Sequence, residues 1–436
     1  MARRCSRAEA AFFLNHRAGV KMDGVRDGVP GQQQRCRGGC NGARLPPRAA
    51  REGRRRSCDD GAVAAAWRRA ATAVEPKMHL RHPDSVNVSA DGMLAGLADM
   101  SPAYFGMVMA TGIVSLAAQM LGWPTLARAL FGLNIAAYIV LWCLSVLRML
   151  RHPRRFFGDM ADHLRGPGFF TMVAATGVLG TQFVIIAGHY GAGVAAWVAA
   201  TVLWMLLTYT IFMAFTIKPH KPSLADGISG AWLLAVVATQ SIAVLSALLA
   251  THSPQPYKLE LNFLALSMWL FGGMLYIWMM SLIFYRYTFF TLAPGDLSPP
   301  YWINMGAMAI STLAGSLLIV NVGDAPFLLS LLPFIKGFTV FYWATGTWWI
   351  PMLLLLGVWR HLYRRFPLRY DPLYWGAVFP LGMYAACTHE MIDAMGFDFL
   401  DWLPAIAFAA ALLAWSAAFG GLLYSLWRRF SAAPLV

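Results

Sequence analysis

Between residues 102 and 427 the chain is a succession of ten apolar stretches separated by short polar connections. They fall at about 102–121, 126–147, 169–188, 192–216, 228–250, 261–285, 301–320, 331–359, 372–391 and 402–427. Each has the length at which a helix crosses the hydrocarbon of a bilayer. Lipid admits only elements that satisfy their own backbone groups. Composition agrees: 58% of the 436 residues are hydrophobic and only 13% are charged, too few charges for the surface of a soluble domain. The fold class is an all-α polytopic membrane protein, with ten spans joined by short connections into five tandem hairpins.

The basic residues orient those spans. Fourteen lie at one set of ends: Arg148, Arg151, Arg154, Arg155, Arg165, Lys218, Lys221, Arg286, Arg360, Arg364, Arg365, Arg369, Arg428 and Arg429. The opposite ends carry Arg128 and Lys258, with Asp393, Asp398 and Asp401. The positive-inside rule then places both termini in the cytoplasm, which requires an even number of spans in a plasma (bacterial inner) membrane. The formal charge of +14 is therefore membrane topology plus a basic tail, and points to the bilayer rather than to nucleic acid.

That tail, residues 1–99, differs from everything after it. It holds 18 Lys/Arg against 10 Asp/Glu and no apolar run long enough to span. Its composition is that of a disordered arm, preceding a ten-span domain over 100–430. Met78 and Met93 are alternative start positions for the chain. Four of the six cysteines lie in the tail, and Cys36 and Cys40 lack the second ligand pair of a zinc site.

A faint repeat runs through the odd-numbered spans. Val108-Met109-Ala110-Thr111, Val173-Ala174-Ala175-Thr176 and Val236-Val237-Ala238-Thr239 occupy equivalent places, and Thr312 and Thr388 continue the rhythm more loosely. Ala344-Thr345-Gly346, in an even span, shows that such motifs also recur outside the rhythm. Internal repeats are common in transport proteins. Odd spans related in this way would ring a common axis, with Thr111, Thr176 and Thr239 as hydroxyls lining it. The competing role for each threonine is back-bonding to the preceding helical turn. Glycines at Gly112, Gly177, Gly315, Gly376 and Gly382 fit both a lumen and close helix packing.

The ninth span is the odd one. Gly376, Pro380 and Gly382 interrupt its apolar run, and proline removes a backbone donor and crowds the carbonyl four residues back. Such a break belongs inside a bundle. Phe379 sits at the break, where its ring would either plug a pore or pack between helices. Intramembrane ionisable groups are few: Lys336 in the eighth span, and His389 and Glu390 near the outer end of the ninth. All three can snorkel to the interface, and His389 with Glu390 can also form a proton-linked pair. The chain carries no His-Glu-x-x-His, Gly-x-Ser-x-Gly, Walker or dinucleotide fingerprint. The expectation is a protein that is not an enzyme and needs no metal or cofactor.

Three further motifs complete the pattern: Pro102-Ala103-Tyr104-Phe105-Gly106 with Gly112, Trp348-Trp349-Ile350-Pro351, and Trp375-Gly376-Ala377-Val378-Phe379-Pro380. With the span count, they make residues 100–430 resemble the tellurite-resistance/dicarboxylate transporter family, also called the voltage-dependent anion channel family. Its members include bacterial tellurite-resistance permeases, fungal malate permeases and sulfite exporters, and plant slow anion channels. The resemblance implies five hairpins around a pseudo-five-fold axis with odd helices inside, a pore occluded by Phe379, and a homotrimer with one pore per protomer. It implies a small-anion cargo such as malate, tellurite or sulfite. The inner spans here have few prolines besides Pro380, so other kinks would rest on glycine. A proton-coupled carboxylate carrier using His389 and Glu390 is the alternative.

Overall fold

The structure, a computed structural model, describes residues 96–367 and 370–431; the expectation for the tail falls almost wholly outside them. Ten long helices follow one another: α1 (Gly106–Met120), α2 (Pro124–Arg151), α3 (Phe170–Ile185), α4 (Tyr190–Ile217), α5 (Leu234–Ala250), α6 (Tyr257–Phe289), α7 (Ile303–Val320), α8 (Pro326–Val358), α9 (Trp375–Met395) and α10 (Trp402–Ser431). Among the described residues, nine helices are long and apolar enough to cross a membrane. The exception is α9. Its 21 residues suffice in length, but Pro380, His389, Glu390 and Asp393 lower its hydropathy.

Burial separates the helices into two sets. Along the most apolar 18 residues, 72–94% are buried in α1, α3, α5 and α7, against 22–50% in the even-numbered helices. Both sets are apolar all round, so only position distinguishes them. The even helices present Ile139, Leu206, Trp278, Leu355 and Leu413 to the outside, an apolar surface far larger than water tolerates and suited to lipid. The odd helices touch in the order α1, α3, α5, α7, α9, and α9 packs back against α1, closing a ring of five.

Each inner helix is entered through a short 3₁₀ turn: Pro102–Phe105, Gly166–Phe169, Gly230–Leu233, Pro299–Trp302 and Pro372–Tyr374. Proline or glycine opens every one, where proline's fixed φ and missing N–H are harmless. The five turns also touch in sequence, and the last meets the first. Contact there is tight. A Cβ added to Gly230 would lie 2.6 Å from the Pro300 carbonyl oxygen and 2.7 Å from the Tyr301 Cα.

A second device repeats around the ring. At or just past the ends of α2, α4, α6 and α8, cations reach backbone carbonyls ahead of the 3₁₀ turns. Arg148 Nε donates to Ala98 O at 3.1 Å, Lys218 Nζ to Ala161 O at 3.0 Å and Arg286 Nε to Ala225 O at 2.7 Å, and Arg360 Nη1 donates to Leu297 O. Cations also complement the negative end of a helix dipole. Four of the five outer helices are thus tied to the start of their own hairpins.

Gly230→Ala forces two backbones apart and is expected to lower stability by about 1–3 kcal/mol. Gly337→Ala, on the open surface of α8 with nothing within 4 Å, should be silent. Thermal unfolding in detergent of the two variants against the parent checks this.

Candidate functional site

Two cavities lie on the axis of the ring, and each is lined from all five inner helices. The first, about 20 Å³, lies near the helix starts, between Gly106 and Met109 of α1, Thr171 of α3, Leu234 of α5, Ile303 of α7, and Gly376 and Phe379 of α9. The second, also about 20 Å³, lies further along, between Ile113 and Leu116 of α1, Gly177 and Thr181 of α3, Ser241 and Val244 of α5, Ile310 of α7 and Met383 of α9. Phe379 belongs to the first cavity and Met383, one turn later, to the second, so this turn of α9 borders both. Both side chains are 1% exposed.

Glycines seat that turn. A Cβ on Gly306 of α7 would lie 2.8 Å from the Pro380 ring, and one on Gly382 would lie 2.9 Å from Ile113 of α1. Helix α9 runs uninterrupted through Pro380, and this turn is wedged between its two neighbours, with the proline ring filling the space glycine leaves. Pro380 cannot donate a helical hydrogen bond, and the vacated donor place lies inside the protein, not against lipid. The same packing role falls to Gly112, whose Cβ would meet Val178 at 2.5 Å, and Gly315, whose Cβ would meet Thr339 of α8 at 2.2 Å. Gly177 and Gly376 line the cavities.

The threonines of the sequence repeat sit on the opposite side of the inner helices. Trp415 Nε1 of α10 donates to Thr111 Oγ1 at 3.0 Å, and Trp204 Nε1 of α4 donates to Thr239 Oγ1 at 2.8 Å. Tyr138 of α2 bonds Thr176 at 2.9 Å, and Trp343 of α8 donates to Thr388 at 3.1 Å. Thr176, Thr239 and Thr388 pass their own protons to the carbonyl four residues back. In the fourth hairpin Trp269 Nε1 of α6 reaches the Ser311 carbonyl instead, at 2.8 Å, beside Thr312. Every outer helix thus holds the inner helix of the next hairpin, and α10 holds α1. These bonds fix the rotation of each inner helix, and with it which residues meet the axis.

The hydroxyls that do line the cavities are Thr171, Thr181 and Ser241. Sequence reasoning overlooked them. Helical spacing carried the signal: Thr181 is five residues beyond Thr176, and Ser241 two beyond Thr239, which at 100° per residue turns them roughly 140–200° away. His389 pairs with Asp393 at 3.4 Å. Helix α9 continues past His389 and Glu390 to Gly396, whose positive φ of 72° ends it, so this pair lies inside the helix rather than at its end.

Comparison with known proteins places the chain. A family model for voltage-dependent anion channels matches residues 99–423. An uncharacterized transporter of Methanocaldococcus jannaschii is 23% identical over 316 residues, covering 71% of this chain and 90% of its own. A sulfite efflux pump of Arthroderma otae is 26% identical over 346 residues, covering 72% and 88%. An uncharacterized membrane protein of Mycobacterium tuberculosis is 38% identical over 152 residues, covering 35% and 77%. With three quarters of its length matched and its helices arranged as a closed apolar ring, the chain belongs to the voltage-dependent anion channel family.

Proposed function

We propose that this protein conducts small anions along the axis of the five inner helices, and that Phe379 closes the path. The observation that carries the reading is the pair of cavities, each lined by all five inner helices, one bordered by Phe379 and the other by Met383 one turn on. The spans number ten in this reading, with α9 counted, and the hairpins follow a pseudo-five-fold axis. Both termini are cytoplasmic, so the 3₁₀ turns ring the cytoplasmic mouth. The assembly is a homotrimer in which each protomer keeps its own path.

Electrostatics suits an anion. All five inner helices begin at the same mouth, and each helix start carries about half a positive charge. No acidic residue occupies the first turn of any of the five, so nothing local cancels that field. The two cavities carry no fixed cation in their linings. An anion would be drawn to the mouth and held weakly inside, as conduction requires. The relative's name makes sulfite one cargo to test beside malate, tellurite, nitrate and chloride.

Two outcomes test the path. Phe379→Ala removes the ring from the junction of the cavities and is expected to raise anion current at least tenfold in planar bilayers. An unchanged current at equal protein incorporation would refute the gate. Ser241→Ala and Thr181→Val should reorder the currents carried by nitrate, chloride and sulfite. Thr111→Val, whose hydroxyl meets Trp415, should leave that order alone and lower stability by about 1 kcal/mol.

A further inference from the structure

We propose that Glu390 is the charge-selective residue at the far mouth of the axial path, where its carboxylate opposes anions until it takes up a proton. This rests on the axial anion path proposed above.

The lumen-facing stripe of α9 runs through Gly376, Phe379 and Met383, the residues that meet the cavities. Glu390 is seven residues beyond Met383 and eleven beyond Phe379. At 100° per residue, both steps return to within about 20° of the same direction. Thr388 lies on the opposite side, where Trp343 of α8 holds it, which fixes the rotation independently. Along the axis Glu390 stands about 10 Å past Met383.

Burial shows that the path widens at this level. Leu248 of α5 and Leu317 of α7 are each partly exposed between fully buried neighbours, and Met120 is partly exposed at the end of α1. All three stand at the end of the lumen stripe of their own helix, four residues past the cavity-lining Val244, Leu313 and Leu116. Such isolated exposure in buried runs marks a mouth. Around it these positions are apolar on α1, α5 and α7, and α9 alone supplies a charge. Glu390 is likewise partly exposed, and among the described residues no hydrogen bond or ion pair holds it.

The charged groups nearby do not neutralise it. On α9 itself His389 adjoins Glu390 in sequence, with its Nδ1 3.4 Å from a carboxylate oxygen of Asp393. Past the end of α7, Asp324 is paired with Lys258 at 3.0 Å. The turn before α10 adds exposed Asp398 and Asp401, and Lys336 of α8 is on the exposed surface of that helix. Helix α1 brings Gln119 and Met120 and no titratable group. A lone carboxylate on a narrow apolar rim acts on a passing anion through low-dielectric walls, where a single charge counts for more than in water.

The test uses the full chain in planar bilayers, with nitrate as the anion because its charge stays constant between pH 7.5 and 4.5. Current is recorded in the parent and in Phe379→Ala, each with and without Glu390→Gln. In the Phe379→Ala background, current is expected to rise about three- to tenfold on acidification. Adding Glu390→Gln should give the acid-level current already at pH 7.5 and abolish the response, whereas Glu390→Asp, which keeps the charge, should retain it. His389→Gln and Asp393→Asn should leave the response in place. A response that survives Glu390→Gln, or one lost in His389→Gln instead, overturns the assignment, as does a current indifferent to both pH and Glu390→Gln. Absence of nitrate current in every variant, Phe379→Ala included, overturns the axial path and this inference with it.

Discussion

Close approach of helices without lipid between them is the constraint on which the rest depends. Five inner helices meet in a ring, and a Cβ at Gly112, Gly306, Gly315 or Gly382 would lie within 3 Å of a neighbouring helix. In a bilayer, association gains little from the hydrophobic effect, because lipid is as apolar as the helix surface. Packing and interhelical hydrogen bonds have to supply it. Glycine at these contacts allows the ring to narrow until one aromatic side chain and one methionine fill the junction on its axis. A wider ring would leave the axis open, and a ring of larger residues would not close.

Rotation of each inner helix is the second requirement, and apolar packing alone does not set it, since these helices are apolar all round. The aromatic hydrogen bonds do. Each is worth about 1 kcal/mol or less in lipid, so together they contribute modestly to stability. Their effect is on register: Trp415, Tyr138, Trp204 and Trp343 each find a threonine hydroxyl, and turning an inner helix by one residue would break its bond. The fourth hairpin departs in the same place where the sequence repeat loosens, with Trp269 bonded to a carbonyl beside Thr312.

The succession of long apolar helices was legible because it depends on length and hydropathy, both of which are one-dimensional. The threonine rhythm was legible too, but not the direction in which it points. A hydroxyl that lines a lumen and one that accepts a bond from an outer tryptophan look alike in a sequence. Only the partner, 35 to 304 residues away in cases such as Thr239–Trp204 and Thr111–Trp415, separates them. The 3₁₀ entries escaped for a different reason. Their proline and glycine residues read as loop, whereas the structure uses them to begin each inner helix and to close the ring at one mouth. Helix α9 overran its expected end because Gly396, not the polar His389–Glu390 pair, stops it.

Charge is distributed so that holding the fold and moving an anion do not compete. The buried arginines Arg148, Arg286 and Arg360 are spent on backbone carbonyls at the base of the hairpins, outside the axis. Had such a guanidinium faced the lumen, it would bind an anion bidentately and release it slowly. The axis keeps hydroxyls and helix-start dipoles, which attract without trapping. In the path proposed above, Thr181 and Ser241 would order the small anions, the ring of Phe379 would set the bore between the two cavities, and Glu390 would set the sign of the charge at the opposite mouth.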